Sequence, residues 1–251
     1  MVKILEIDDN NNSNVFGNSE VIDCMSVKVD GSEDAFTDVL FEQMANGVKL
    51  VLDLGGGNDS RAGLKLIKDS GVAFTYIIPV GNSLSQLQNA VETYNLINEP
   101  ENTVFALNQV NDMDKIKKDW IFWFGSEEFG IDSVSEKLNN PKIIFIPRSP
   151  LFELSALHGI TISELATIGN GIPREKYLNI LFKQSGGDKE IFKSLNSKYK
   201  QSVLAKEYLE LVMESLKEAV GTTKNIAVVS TKGGVGKSTI AWHLAPLILK
   251  G

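Results

Sequence analysis

Cysteine is almost missing from this sequence: Cys24 stands alone among 251 residues. A single thiol excludes an internal disulfide and any multi-cysteine metal cluster held by one chain. A reducing, cytoplasmic setting is the expectation that follows. Long apolar runs are missing too, since no stretch approaches the roughly 20 residues that a membrane span needs. The opening Met1-Val-Lys-Ile-Leu-Glu-Ile-Asp-Asp lacks the apolar core and small-residue cleavage site of a signal peptide. An excess of basic charge is absent as well. The net charge of −7 favours solubility and gives no global sign of nucleic-acid binding, so such a surface has to be a local patch.

What remains is an ordinary globular composition, 43% hydrophobic and 23% charged, long enough for one α/β domain with a sizeable core. Short apolar runs alternate with longer amphipathic segments, the pattern of a mostly parallel sheet flanked by helices. The runs predict strands at Val2–Ile7, Val21–Val29, Val48–Leu54, Ala73–Val80, Thr103–Leu107, Lys142–Ile146 and Asn225–Ser230. Helices are expected at Glu33–Ala45, Ser60–Asp69, Ser83–Leu96, Thr161–Ile168, Glu175–Lys183 and Lys189–Ala219. The last reads as one or two helices, with Phe192, Leu195, Tyr199 and Val203 at helical spacing.

Two segments stand out. The polar tract Asp9–Ser19 directly follows the first strand, where α/β folds place ligand sites, although it also reads as a plain flexible loop. Trp120-Ile-Phe-Trp-Phe124 reads mainly as a buried strand or helix turn, with an exposed partner surface as the other option.

Most of the chemical information lies in Thr231-Lys-Gly-Gly-Val-Gly-Lys-Ser-Thr239, which follows the strand Asn225–Ser230 and opens an apolar helix. Strand, glycine-rich loop and helix together make a phosphate cradle. Gly233, Gly234 and Gly236 let the backbone curl so that N–H groups, Val235 among them, converge on phosphate oxygens. The helix start at Ser238 and Thr239 adds its positive dipole end. Lys237 is expected to reach the β- and γ-phosphates, and the Ser238 hydroxyl to ligate Mg²⁺. A dinucleotide loop fits poorly, because a third glycine is missing and no acidic residue follows about twenty positions on.

The loop has only one helix after it, so no later strand carries a magnesium carboxylate. Joining the ends solves this: Leu247–Gly251 followed by Val2–Asp9 reads as a helix, a glycine stop and a strand ending in carboxylates. In that rotated order the sequence resembles the ParA/MinD family of deviant Walker A ATPases over essentially its whole length. Lys232–Thr239 matches the family's signature loop, and Ile4-Leu-Glu-Ile-Asp8 resembles its second strand, which usually ends Asp-x-Asp-Pro-Gln. Val51-Leu-Asp53-Leu-Gly-Gly-Gly resembles the Walker B strand, where the family has Asp-x-Pro-Pro. Ile146-Pro147-Arg148, followed by Leu154-Ser-Ala-Leu-His-Gly, resembles a late segment of ParA proteins. Glu6, Asp9-Asn10 and the Walker B glycines depart from those patterns.

The order is most simply an engineered circular permutation of a single domain. Residues 1–219 run from the family's second strand onward, 220–224 form a joining linker, and 225–251 supply the first strand, loop and helix. The resemblance implies an ATPase of weak turnover that binds ATP or ADP with Mg²⁺. Lys232 is the signature lysine, reaching the partner's phosphates across an ATP-sandwiched homodimer. Asp8 orients the attacking water or senses the γ-phosphate, Asp53 holds Mg²⁺ through water, and Asn108 and Pro147 are candidates for adenine contacts.

The 174–206 segment carries eight Lys/Arg and three Asp/Glu. Lys189, Lys193 and Lys200 share one helical face there, which suggests nonspecific contact with DNA phosphates, or simply a solvated face. The DNA-segregation branch of the family, with a ParB-like stimulatory partner and a nucleoid location, is the expected one. The membrane branch fits less well, because Glu207, Glu210, Glu214 and Glu218 would be repelled by an anionic bilayer. A biosynthetic ligase or synthetase on the same fold is the other alternative.

Overall fold

The computed structural model describes residues 2–8, 17–168, 171–221 and 225–249, apart from the side chains of 44, 244–246 and 248–249. Most of the polar tract after the first strand, and the join at 222–224, lie outside the described residues. Seven strands form one sheet: β1 (Val2–Ile7), β2 (Ile22–Val27), β3 (Lys49–Leu54), β4 (Thr75–Val80), β5 (Thr103–Val110), β6 (Lys142–Pro147) and β7 (Asn225–Val228). Their order is β2-β1-β3-β7-β4-β5-β6, and every pairing is parallel. Near-continuous apolar strands such as Leu50–Leu54, buried at each position, are what a sheet covered on both faces demands.

The helices are α1 (Ser32–Asn46), α2 (Asn58–Ser70), α3 (Leu84–Ile97), α4 (Ile116–Asp119), α5 (Ile121–Phe124), α6 (Val134–Lys137), α7 (Leu151–His158), α8 (Ile162–Leu165), α9 (Arg174–Gln184), α10 (Lys189–Val220) and α11 (Lys237–Leu249). By compactness the structure divides into two units. One draws on Met1–Asn14, Val21–Ser149 and Val212–Gly251, the other on Val15–Glu20 and Pro150–Leu211.

The first unit holds the sheet and its core, in which Leu5, Leu52, Ile78, Phe105 and Val229 are fully buried. Trp120 and Trp123 belong to this core, and Trp123 packs on Phe105 with ring centroids 4.9 Å apart. The aromatic run is therefore interior packing on a helical turn, and the exposed-surface option falls away. The second unit is helical, with Leu151, Ile162, Leu165 and Ala205 at its centre. Its segment after Arg148 breaks at Gly159, whose φ of +66° caps α7, and restarts at Thr161, which forms a capping box with Glu164.

Candidate functional site

β7 runs up the middle of the sheet between β3 and β4, with Val228 in register with Asp53 on one side and Ile77 on the other. The glycine-rich loop Thr231–Gly236 thus leaves the carboxyl edge of the central strand, the edge on which open α/β sheets carry their ligands. The turn after β3 and the helices α2 and α3 fix where it starts. The Thr231 carbonyl accepts from Gly57 N at 2.9 Å, and Thr231 N donates to Thr93 Oγ1 of α3 at 3.2 Å. Ser60, on α2, donates to the Ser230 carbonyl at 2.7 Å and also reaches Gly55 O.

Gly55–Gly57, where the resembled family carries prolines, has a local reason to be glycine. A Cβ on Gly56 would lie 3.1 Å from Gly233 N, and one on Gly55 would meet Ile7 O at 2.9 Å. Two loops pass here backbone to backbone, and a side chain would force them apart. Within the loop, Gly234 and Gly236 take φ of +77° and +85°, values that L side chains rarely adopt. Among the described residues, the N–H groups of Gly233, Gly234 and Gly236 donate to no protein acceptor at ordinary hydrogen-bond geometry.

A cleft of about 610 Å³ opens beside this loop and is lined by Glu6, Asp8, Asp53, Lys232, Lys237, Ser238 and Thr239, with Gly55–Gly57 and the loop glycines. The topology brings together the carboxylates from the first strands and the loop from the last. Lys237 begins α11, is 8% exposed, and donates to the Lys232 carbonyl at 3.2 Å. Burial lowers its pKa, while Asp53, Asp8 and Asp59 work in the opposite direction. Lys232 itself is exposed at the rim.

Asp53 is the most unusual group. It is 2% exposed, and neither carboxylate oxygen has a hydrogen-bond partner. Burial pushes its pKa up to about 7, with Glu6 and Asp8 adding to the rise. The nearby Ser238 hydroxyl and Lys237 favour the ionised form, though Ser238 makes no hydrogen bond of standard geometry to it. A buried carboxylate in this position is an acceptor set awaiting a donor or a cation. Among the described residues no group of three or more His, Cys, Asp or Glu side chains is placed to hold a metal. A cation here would take Asp53 and Ser238 from the protein and its other ligands from water or a bound anion.

A second cleft, about 360 Å³, lies on another side of the loop against Gly234 and Val235. Asn108, Gln109, Arg148 and Trp120 are among its walls, whereas Pro147 is not. Pro147 ends β6 opposite Val110. The Asn108 amide is already engaged: it donates to Val235 O at 3.0 Å, and its oxygen accepts from Gln109 N at 2.9 Å. It also packs so closely on Gly236 that a Cβ there would collide with it.

Sequence reasoning missed Ser60, Thr93 and Gln109; it noted Arg148 only within a resembling segment and Glu6 only as a departure from a pattern. Glu6 lies opposite Asp53 in register and is 2% exposed. An acid in an otherwise apolar strand was the available signal. Lys189, Lys193 and Lys200 all stand exposed on α10, and Lys193 pairs with Glu190 at 2.7 Å. No helix of the described residues is long and apolar enough to cross a membrane. No protein-family model, curated protein or solved structure matches the chain.

Proposed function

We propose that the chain is an ATP-binding and ATP-hydrolysing switch of the ParA type, which dimerises on ATP. The observation that carries this reading is Asp53: a buried, unpartnered carboxylate beside Ser238 and Lys237 at the mouth of a glycine-rich loop. A protein site with one carboxylate and one hydroxyl suits Mg²⁺ that arrives with phosphate ligands. The N–H groups of Gly233, Gly234 and Gly236 and the start of α11 suit the phosphates themselves. Bound Mg·ATP would supply the phosphoanhydride and the cation's charge.

The residues of the chain then have distinct tasks. Lys237, held at the Lys232 carbonyl, neutralises β- and γ-oxygens. Ser238 and Asp53 hold the cation, and Asp8 at the cleft wall orients water. Lys232, exposed at the rim, is free to reach a partner's phosphates. We also read the order as a circular permutation, in which the latest strand in sequence, β7, is the middle of the sheet. In the rotated order the loop and its strand come first and the cleft carboxylates Glu6, Asp8 and Asp53 follow. For cargo, the exposure of Lys189, Lys193 and Lys200 favours nonspecific DNA as one reading, which a gel shift with and without ATP examines.

Light scattering tests the switch. Molar mass should rise when ATP and Mg²⁺ replace ADP, and Lys232→Ala should remove that rise. Equal masses in ATP and ADP for the unmodified chain would refute the switch, and a rise surviving Lys232→Ala would remove the lysine from it. Asp8→Ala should keep ATP and lose turnover.

A further inference from the structure

Apart from Gly234, the second cleft holds none of the groups assigned to the cation or the phosphates. The turns after four neighbouring strands, β7, β4, β5 and β6, build it at the carboxyl edge of the sheet, where such folds carry ligands. Two of those turns are shaped around a side-chain amide. Between Asn108 and Val110 the pairing of β5 with β6 skips one residue, and that residue, Gln109, takes φ of +62°. Glycine is the usual residue at such an angle, because a Cβ there crowds the backbone. Gln109 keeps its side chain, and the bulge presents it at the cleft wall. At Gly81 the reverse holds: a Cβ would overlap the Gln86 amide, so glycine makes room for that amide in the wall.

Charge of both signs stands on the same walls. Arg148 is anchored through its N–H, which donates to Val110 O at 2.8 Å, and Asp119 through its carbonyl, which accepts from Asn82 Nδ2 at 2.6 Å. Their side chains form no ion pair with each other or with another charged group among the described residues. The side chains of Gln109 and Asn111 make no hydrogen bond there either, and all four residues are exposed. A cation, an anion and two amides therefore line one small space with their hydrogen-bonding capacity unused.

These groups narrow the class of ligand. An inorganic anion would gain from Arg148 and be repelled by Asp119. A nucleobase binds best stacked on an open ring face, and Trp120, 4% exposed within the core, offers none. A neutral sugar would leave both charges without a counter-charge. A molecule with a carboxylate, an ammonium and an amide uses every one of these groups. At about 360 Å³ the cleft suits a ligand of roughly ten non-hydrogen atoms. We propose that it binds a small zwitterion of this kind, with the carboxylate on Arg148, the ammonium on Asp119 and the amide held by Gln109 and Asn111. A dipeptide and an amino acid with an amide side chain share that chemistry.

Saturation-transfer NMR on the whole chain, with glycylglycine and with glutamine as probes, tests this and separates the two sources. The better of the two should bind with a Kd on the order of 1 mM. Acetylating its amino group, or converting its carboxylate to an amide, should remove the signal. Arg148→Gln and Asp119→Asn should each weaken binding about tenfold or more. Gln109→Gly should weaken it about tenfold while leaving Tm unchanged or raised, because glycine takes the positive φ without strain. A merely structural glutamine would give a lower Tm and unchanged binding.

No saturation transfer to either probe, or binding that survives both Arg148→Gln and Asp119→Asn, would overturn the proposal. Titration of the same two variants with Mg·ATP keeps this reading apart from the nucleotide one. Their ATP affinity should equal that of the unmodified chain; a loss would assign the cleft to the nucleotide and overturn the zwitterion site. Conversely, zwitterion binding should persist in Lys237→Ala, which lacks the proposed nucleotide contact. Either reading can therefore fail alone.

Discussion

Asp53→Asn should make the chain more stable at alkaline pH, an unusual result for a change at a functional carboxylate. The argument starts from the pKa, raised from 3.8 to about 7 mainly by burial. Below the unfolded value both states keep the proton, and Asp53 contributes no pH dependence. Between the two values the unfolded chain ionises while the folded one does not, so unfolding gains and stability falls as pH rises. Above about 7 both are ionised and the loss is complete.

At about 1.36 kcal/mol per pKa unit, the full penalty has a ceiling of about 4 kcal/mol. Asparagine carries no charge, so the gap between variant and parent should widen by about 2–3 kcal/mol from pH 5 to pH 8. Urea unfolding of both proteins across this range, with chelator and no nucleotide, measures the gap and cancels the titrating groups that do not interact with Asp53. A constant gap, or a variant less stable at pH 8, would mean that the carboxylate is satisfied within the protein. The argument for a cation at that place would then fail.

Other consequences can be checked as directly. Asn108→Ala removes the donor to the Val235 carbonyl and should lower stability by about 1–3 kcal/mol in urea unfolding. Gly56→Ala crowds Gly233 N and should lower Tm by about 2–4 °C in a thermal scan. An unchanged Tm would show that the two loops do not pass so closely. The Cys24 thiol, pushed up to about 12 by burial and neighbouring acids, should alkylate at pH 8 at least about a hundredfold more slowly than free cysteine. Mass spectrometry of a timed reaction reads that rate.

Much of this architecture was visible in the sequence because its parallel strands are short, apolar and separated by periodic helices. All seven strand runs lie where expected, with ends moved by a few residues, as at Thr75 and Val110. Lys189–Ala219, open as one or two helices, is a single helix ending at Val220. Apart from the aromatic run Trp120–Phe124, read as a strand or a helix turn, the turns between Met113 and Lys137 were missed because three- and four-residue helices leave no period to read. Leu151–His158 was missed as a helix because its apolar residues are not confined to one stripe.

The cleft was legible where type and spacing announce chemistry, as in Thr231–Thr239, and where an acid ends an apolar run, as at Asp8 and Asp53. Ser60 and Thr93 act through backbone contacts that only the folded chain creates. Asn108 shows the opposite limit. Its place beside the loop was anticipated, yet its amide is tied to Val235 and Gln109.

Titration calorimetry with ATP and Mg²⁺ tests the central claim most directly, comparing the unmodified chain with Lys237→Ala. The unmodified chain should bind ATP with an affinity that falls when Mg²⁺ is removed, and Lys237→Ala should show no binding. No heat of binding from the unmodified chain, or equal affinity in the variant, would contradict the account.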